Sequence, residues 1–230
     1  MADTLATSTP MTDALALARV LAWLSPVFPT GGFAYSSGLE AATLTRLVRD
    51  DVSLSNWLAS LLDSGRLRND AIFVSQSVAG THDRLRIAEI NALALASAGS
   101  AQMYLETTAQ GSAFCRAARA WPNAAGLDMP DPIALPVAVG MVCGSASVEP
   151  ETACIAYLHA FIANQLQIAI RLSVFGQNGA AHLLATLEPI IVSAAKKAVD
   201  EGLDDLGSAT IMADIVAMQH ETLDGRLFRS

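Results

Sequence analysis

Charge is scarce in this 230-residue chain: Asp, Glu, Lys and Arg make up 16% of it, against about a quarter in ordinary soluble domains. What charge there is leans acidic, 22 acidic residues against 14 basic ones for a net −8, and no basic stripe offsets it. Such a balance repels phosphate backbones and argues against nucleic acid as a partner. Cysteine is equally thin. Cys115, Cys143 and Cys154 are an odd number without paired spacing, which suits reduced thiols in a cytoplasm rather than a disulfide framework. The opening MADTLATSTPMTDA has neither a basic region nor a secretory apolar core, so the expected location is cytoplasmic. Alternating apolar and polar residues never run long enough to make a strand of consequence. Neither Cys-x-x-Cys nor His-x-x-x-His occurs, and no metal site is legible from spacing.

Apolar residues are abundant by contrast, at 52% with a mean hydropathy of +0.39. Two runs invite a membrane reading, and neither sustains it. ACIAYLHAFIANQLQIAIRL is interrupted by His159, Asn164, Gln165 and Gln167 and closed by Arg171. IALPVAVGMVCGSASV falls short of the roughly 20 residues a spanning helix needs and carries a proline. Much of the apolarity is alanine, which packs helices closely. The composition therefore points to helices buried nearly all round, with surplus apolar surface covered in an oligomer or against a partner.

Helical periodicity organises the chain. Leu17, Val20, Leu21 and Leu24 share one face, as do Leu54, Trp57, Leu58, Leu61 and Leu62. Thr12 and Ser53 are plausible caps, Ser37 with Glu40 three residues on has the pattern of a capping box, and Pro150 suits a helix's first turn. Further helices are expected over 66–79, 82–98, 100–120, 134–147, from Pro150 towards Phe175, and 178–201. Pro136 and Pro189 should kink their helices or mark true starts. Gly140 and Gly144, four apart, should let another backbone approach closely. With no repeat, linker or composition shift, residues 1–230 read as a single all-α domain of roughly eight to ten helices, with a loose stretch at 1–11.

Against this background PTGGFAYSSGLE, from Pro29 to Glu40, is unusually specified. It has no lysine and no preceding strand, so it is neither a P-loop nor a dinucleotide fingerprint. Gly31 and Gly32 supply conformations that side chains forbid, and Phe33 and Tyr35 should alternate outward and inward. The motif reads either as a loop whose aromatics plug the core or as a docking surface. A Cys–His nucleophile could be assembled in space from the three cysteines with His159 or His182, but their Ala-rich surroundings favour inert buried thiols. A small helical enzyme or ligand-binding bundle with a cysteine-based site is thus the rival to a non-enzymatic binding protein.

LSPVFPTGGFAYSSGLEAA resembles the N-terminal signature of the UreF family of urease accessory proteins, SP-x-x-P-x-G-x-F-x-YS-x-GLE. RLSVFGQNG, from Arg171, is similar to that family's RL-x-PLGQ segment, with Val174 and Phe175 preceding Gly176-Gln177. The closing DDLGSATIMADIVAMQHETLDGRLFRS resembles the family's ending, with its HET and its RLFRS. The three motifs lie in the right order across nearly the whole chain. The resemblance implies an all-α homodimer without catalysis of its own and with no directly bound cofactor. Nickel and GTP would be handled by its partners: a UreD/UreH-type accessory protein, a UreG-type GTPase and apo-urease. Residues carried over as partner-binding candidates are Tyr35, Ser36 and Glu40 in the first motif, Arg171 and Gln177 in the second, and His220, Glu221, Arg226, Leu227, Phe228 and Arg229 in the third. The tail 221–230 is expected to order on the UreD/UreH-type partner with Phe228 as apolar anchor. Glu40, as a cap residue, should be dispensable for folding.

Overall fold

A computed structural model describes residues 14–230. Among them are eleven α-helices and two short 3₁₀ turns, and no strand. The helices are α1 (Ala14–Trp23), α2 (Leu39–Leu44), α3 (Asp51–Ser64), α4 (Arg66–Ala79), α5 (Arg84–Ala96), α6 (Ala101–Ala118), α7 (Pro122–Ala125), α8 (Leu135–Ser145), α9 (Pro150–Arg171), α10 (Gln177–Asp200) and α11 (Ile211–His220). The 3₁₀ turns span Gly32–Ala34 and Leu203–Asp205.

Local chemistry explains most of the starts. Asp50 caps α3 and shares a capping box with Ser53, so Ser53 is the third helical residue rather than the cap. Asp83 accepts from the Leu85 and Arg86 N–H groups, and Ser100 from that of Met103. Prolines stand in the first turns of α7, α8 and α9, where their missing N–H costs nothing. Pro136 therefore marks a start; Pro189 lies inside α10. The expected cap Thr12 and the stretch 1–11 lie outside the described residues.

The core is built around α4, which packs against α3, α5, α8, α9 and α10. Its tightest neighbour is α8, buried continuously from Pro136 to Cys143. A Cβ on Gly140 would sit 2.6 Å from both the Val74 carbonyl and the Ser77 Cβ, and one on Gly144 would sit 2.6 Å from the Val78 carbonyl. The two glycines thus bring the backbones of α8 and α4 together, as their spacing suggested. α9 is the one described helix long and apolar enough to cross a membrane. Here it is a core helix, with Cys154, Tyr157, Leu158, Ile162 and Leu166 buried and its flanks packed on α4 and α10.

Two local expectations are corrected. The apolar stripe of α1 does not face inward as a whole: Ala16, Val20 and Trp23 are buried, while Leu17 and Leu21 point to solvent. The packed face is narrower because α1 meets little besides α9 and the aromatic cluster at its end, where Trp23 and Phe28 both contact Trp121 with ring centroids 5.9 Å apart. The other correction concerns the start of α2, described below.

Candidate functional site

Residues 31–40 make a loop whose path is set by two glycines. Gly31 has φ 74° and Gly38 has φ 86°, the left-handed region that β-carbons disfavour. Gly32 does not share it, so only one of the glycine pair is conformationally required. Between them the 3₁₀ turn throws Phe33 outward, 71% exposed, and Tyr35 and Ser36 inward. That alternation agrees with the sequence pattern.

Ser37 is not the cap of α2. Gly38 occupies that position without a side-chain cap, and the Ser37 hydroxyl instead donates to Glu106 Oε1 at 2.7 Å. Glu40, freed from any capping box, is 4% exposed and faces the end of the chain. Its Oε2 meets His220 Nε2 at 2.8 Å and accepts the Phe228 N–H at 3.1 Å, while Oε1 accepts the Leu227 N–H at 2.8 Å. Burial pushes this carboxyl up, but the Leu227 N–H, His220 and the Phe228 N–H outweigh it and hold Glu40 below its ordinary value. The expectation that Glu40 serves as a cap partner is thus corrected: its carboxylate is instead the shared acceptor of His220 and of the Leu227 and Phe228 N–H groups.

The closing segment lies across this loop as a strap. The Arg229 N–H donates to the Ala34 carbonyl and the Ser36 N–H to the Ser230 carbonyl, each at 2.8 Å. The Ser36 hydroxyl also donates to Ser230 O, and the Ser230 hydroxyl donates to Glu106 Oε2 at 2.5 Å. Phe228 is 3% exposed beneath the Arg171 guanidinium, which sits 4.3 Å from its ring centroid and donates to the Phe33 carbonyl at 2.7 Å. Asn164 donates to the Gly32 carbonyl at 3.2 Å. The tail was expected to wait for a partner with Phe228 as anchor; in the single chain Phe228 is seated on its own domain, and Leu227, 67% exposed, is the apolar side chain left facing out.

Of the eleven residues singled out from sequence, Tyr35, Ser36, Glu40, Arg171, His220 and Arg226 to Arg229 converge on this loop and strap. Glu221 stands at its edge, its carboxylate accepting the Gln102 N–H at 3.2 Å. Gln177 takes no part in the network and is exposed at the first position of α10. Sequence reasoning missed Gln102, Glu106 and Gln110, four apart along α6. A row of polar residues at helical spacing in an otherwise Ala-rich helix was the available signal.

Below the loop, Arg66 lies 3.7 Å from Glu106, and Tyr157 donates to Asp70 at 2.9 Å. Burial raises both Asp70 and Tyr157. A cavity of about 730 Å³ opens beside this cluster, bordered by Phe28, Phe114, Phe161, Gln110 and Arg171. None of the cysteines takes part. Burial pushes each of the three thiols up to about 12, the opposite direction from a nucleophile. Among the described residues no three or more His, Cys, Asp or Glu side chains are grouped so as to hold a metal ion.

Helices on all sides, with a shaped loop and the chain's end fastened into one surface, define an all-α protein. Comparison with known proteins sharpens that class. The UreF family matches over residues 48–188. The urease accessory protein UreF of Rhizobium leguminosarum bv. viciae is 47% identical over 215 residues, covering 94% of this chain and 96% of the relative. That of Mesorhizobium japonicum is 46% identical over 223 residues, 96% of this chain and 100% of the relative, and that of Brucella ovis 46% over 224 residues, 96% and 98%. The chain belongs to the UreF family of urease accessory proteins.

Proposed function

We propose that this protein serves urease maturation as a non-enzymatic docking component, and that the loop–strap surface is where a partner engages it. Family membership supports the urease role. The observation that carries the docking reading is the pairing of a closely specified loop with exposed anchors: Phe33 at 71% and Leu227 at 67% exposure stand out from a base of buried and half-buried hydrogen bonds. Large apolar side chains held outward on an ordered frame present contact area with little further ordering cost. Arg226 and Arg229 flank Leu227 and suit an acidic rim on the partner.

In this reading the chain works as a cytoplasmic homodimer with a UreD/UreH-type accessory protein and a UreG-type GTPase on apo-urease. It favours one state of the GTPase and so couples GTP hydrolysis to nickel delivery. Nickel and GTP stay with the partners. The deep burial of the three thiols weighs against the cysteine-based rival.

The test is co-expression with the other urease accessory proteins and apo-urease, followed by size-exclusion chromatography and an activation assay. Phe33→Asp and Leu227→Asp should each leave thermal unfolding within about 0.5 kcal/mol of the parent, as exposed substitutions do, while weakening co-elution. Full complex formation and full urease activation by the double variant would remove the loop–strap surface as the docking site.

A further inference from the structure

We infer that the tail is gripped through a histidine-operated relay, in which the protonation of His220 sets the orientation of the Gln102 amide and thereby the hold on Arg226 and Arg229. His220 is fully buried, and its two ring nitrogens face different partners. Nε2 lies 2.8 Å from the Glu40 carboxylate, which can only accept, so this nitrogen carries a hydrogen. Nδ1 lies 2.8 Å from the terminal amide of Gln102, which could either donate or accept.

The tail decides between them. With its nitrogen toward His220, the Gln102 amide donates both to Nδ1 at 2.8 Å and to the Arg229 carbonyl at 3.2 Å, and its oxygen accepts from the Arg226 guanidinium. In the opposite orientation its oxygen faces the Arg229 carbonyl and its nitrogen faces the Arg226 guanidinium, acceptor against acceptor and donor against donor. The tail-bound arrangement therefore requires Nδ1 to accept, which makes His220 the neutral Nε2–H tautomer.

A proton added at Nδ1 turns that acceptor into a donor. The amide must then rotate to offer its oxygen, and both of its bonds to the tail are lost while those of Glu40 to the Leu227 and Phe228 N–H groups remain. Charged groups face the ring from α2, from the tail and from the end of α11. Glu40 faces it from α2, Arg226 faces it from the tail through Gln102, and Glu221 follows it in sequence with its carboxylate on the Gln102 N–H. Glu106, one turn along α6 from Gln102, is taken up by Ser37, Ser230 and Arg66. A proton gained by His220 thus loosens the tail at 226 and 229 while leaving its middle attached. This holds whichever partner the tail meets.

The experiment is nuclear magnetic resonance on the full-length, ¹⁵N-labelled protein between pH 7.5 and 5.5, with His220→Gln used only to assign the ring signal. At pH 7.5 the His220 ring should show a protonated Nε2 and an accepting Nδ1. As the ring gains a proton and the tail loses its two bonds to Gln102, the Arg229 N–H should open more readily from the Ala34 carbonyl and its protection factor fall about tenfold, with Leu227 and Phe228 unchanged. Gln102→Glu, which can only accept, should raise the pH at which His220 titrates and abolish the pH dependence at Arg229. A ring already protonated or in the Nδ1–H form at pH 7.5 overturns the relay. So does Arg229 protection that ignores the His220 titration in the unsubstituted protein.

Discussion

The α4–α8 interface and the loop–strap seam hold the same chain together by different physics. Where α8 meets α4, Val137 to Cys143 are buried without a break and two glycines let the backbones touch, so cohesion there is contact and exclusion of water. At the seam the cohesion is directional. Glu40 and Glu106, 4% and 3% exposed, gather hydrogen bonds from the loop, from α11 and from the last four residues. A dry interface fails when its volume changes; a carboxylate-centred one fails when a single acceptor or proton changes.

Three perturbations would sharpen or break this contrast. The largest effect belongs to the dry side. Gly140→Leu places a side chain where even a Cβ has no room, and should cost about 3 kcal/mol or more, through forced separation of α4 and α8. Loss of cooperative melting by circular dichroism would bear this out, and a near-parental melting curve would mean that the two helices are not in fact so close. Next comes Glu40→Ala, which leaves His220 and the Leu227 and Phe228 N–H groups without an acceptor and should cost about 2–3 kcal/mol in urea unfolding while the helical spectrum survives. Parental stability would mean that Glu40 is dispensable for folding after all.

The smallest effect concerns pH. The Glu40 carboxyl is held below its ordinary value in the folded chain, so its stabilisation is complete above the unfolded pKa and is lost as pH falls through the folded one. Stability should therefore decline through and below the ordinary carboxylate range. Glu40→Gln should flatten that part of the profile, and an unaltered acid limb in that variant would assign the titration to another group.

The major helices were legible because their signals are local. The expected 66–79 is observed as Arg66–Ala79, 134–147 as Leu135–Ser145 and 178–201 as Gln177–Asp200. Pro150 opens α9 as its position in the sequence indicated. Neither α7, four residues long, nor α11, whose outward face carries Ile211, Met212, Ile215 and Met218, announced itself by a one-sided pattern. The candidate site was half legible. The resemblance marked the loop and the tail as separate motifs, but Ser37 and Glu40 looked like a capping box, and nothing singled out Gln102 and Glu106.

By itself the sequence determined an all-α chain, the positions of the glycines that α8 needs, and buried cysteines, because periodicity, burial of small side chains and scarcity of charge are properties of a segment and its neighbours. Only the tertiary structure decided that Glu40 and His220, 180 residues apart, share a hydrogen bond, and that Phe228 turns inward while Leu227 turns out. A carboxylate has no preference for a cap over a buried donor until the chain brings the donors to it, and that depends on contacts no local pattern encodes.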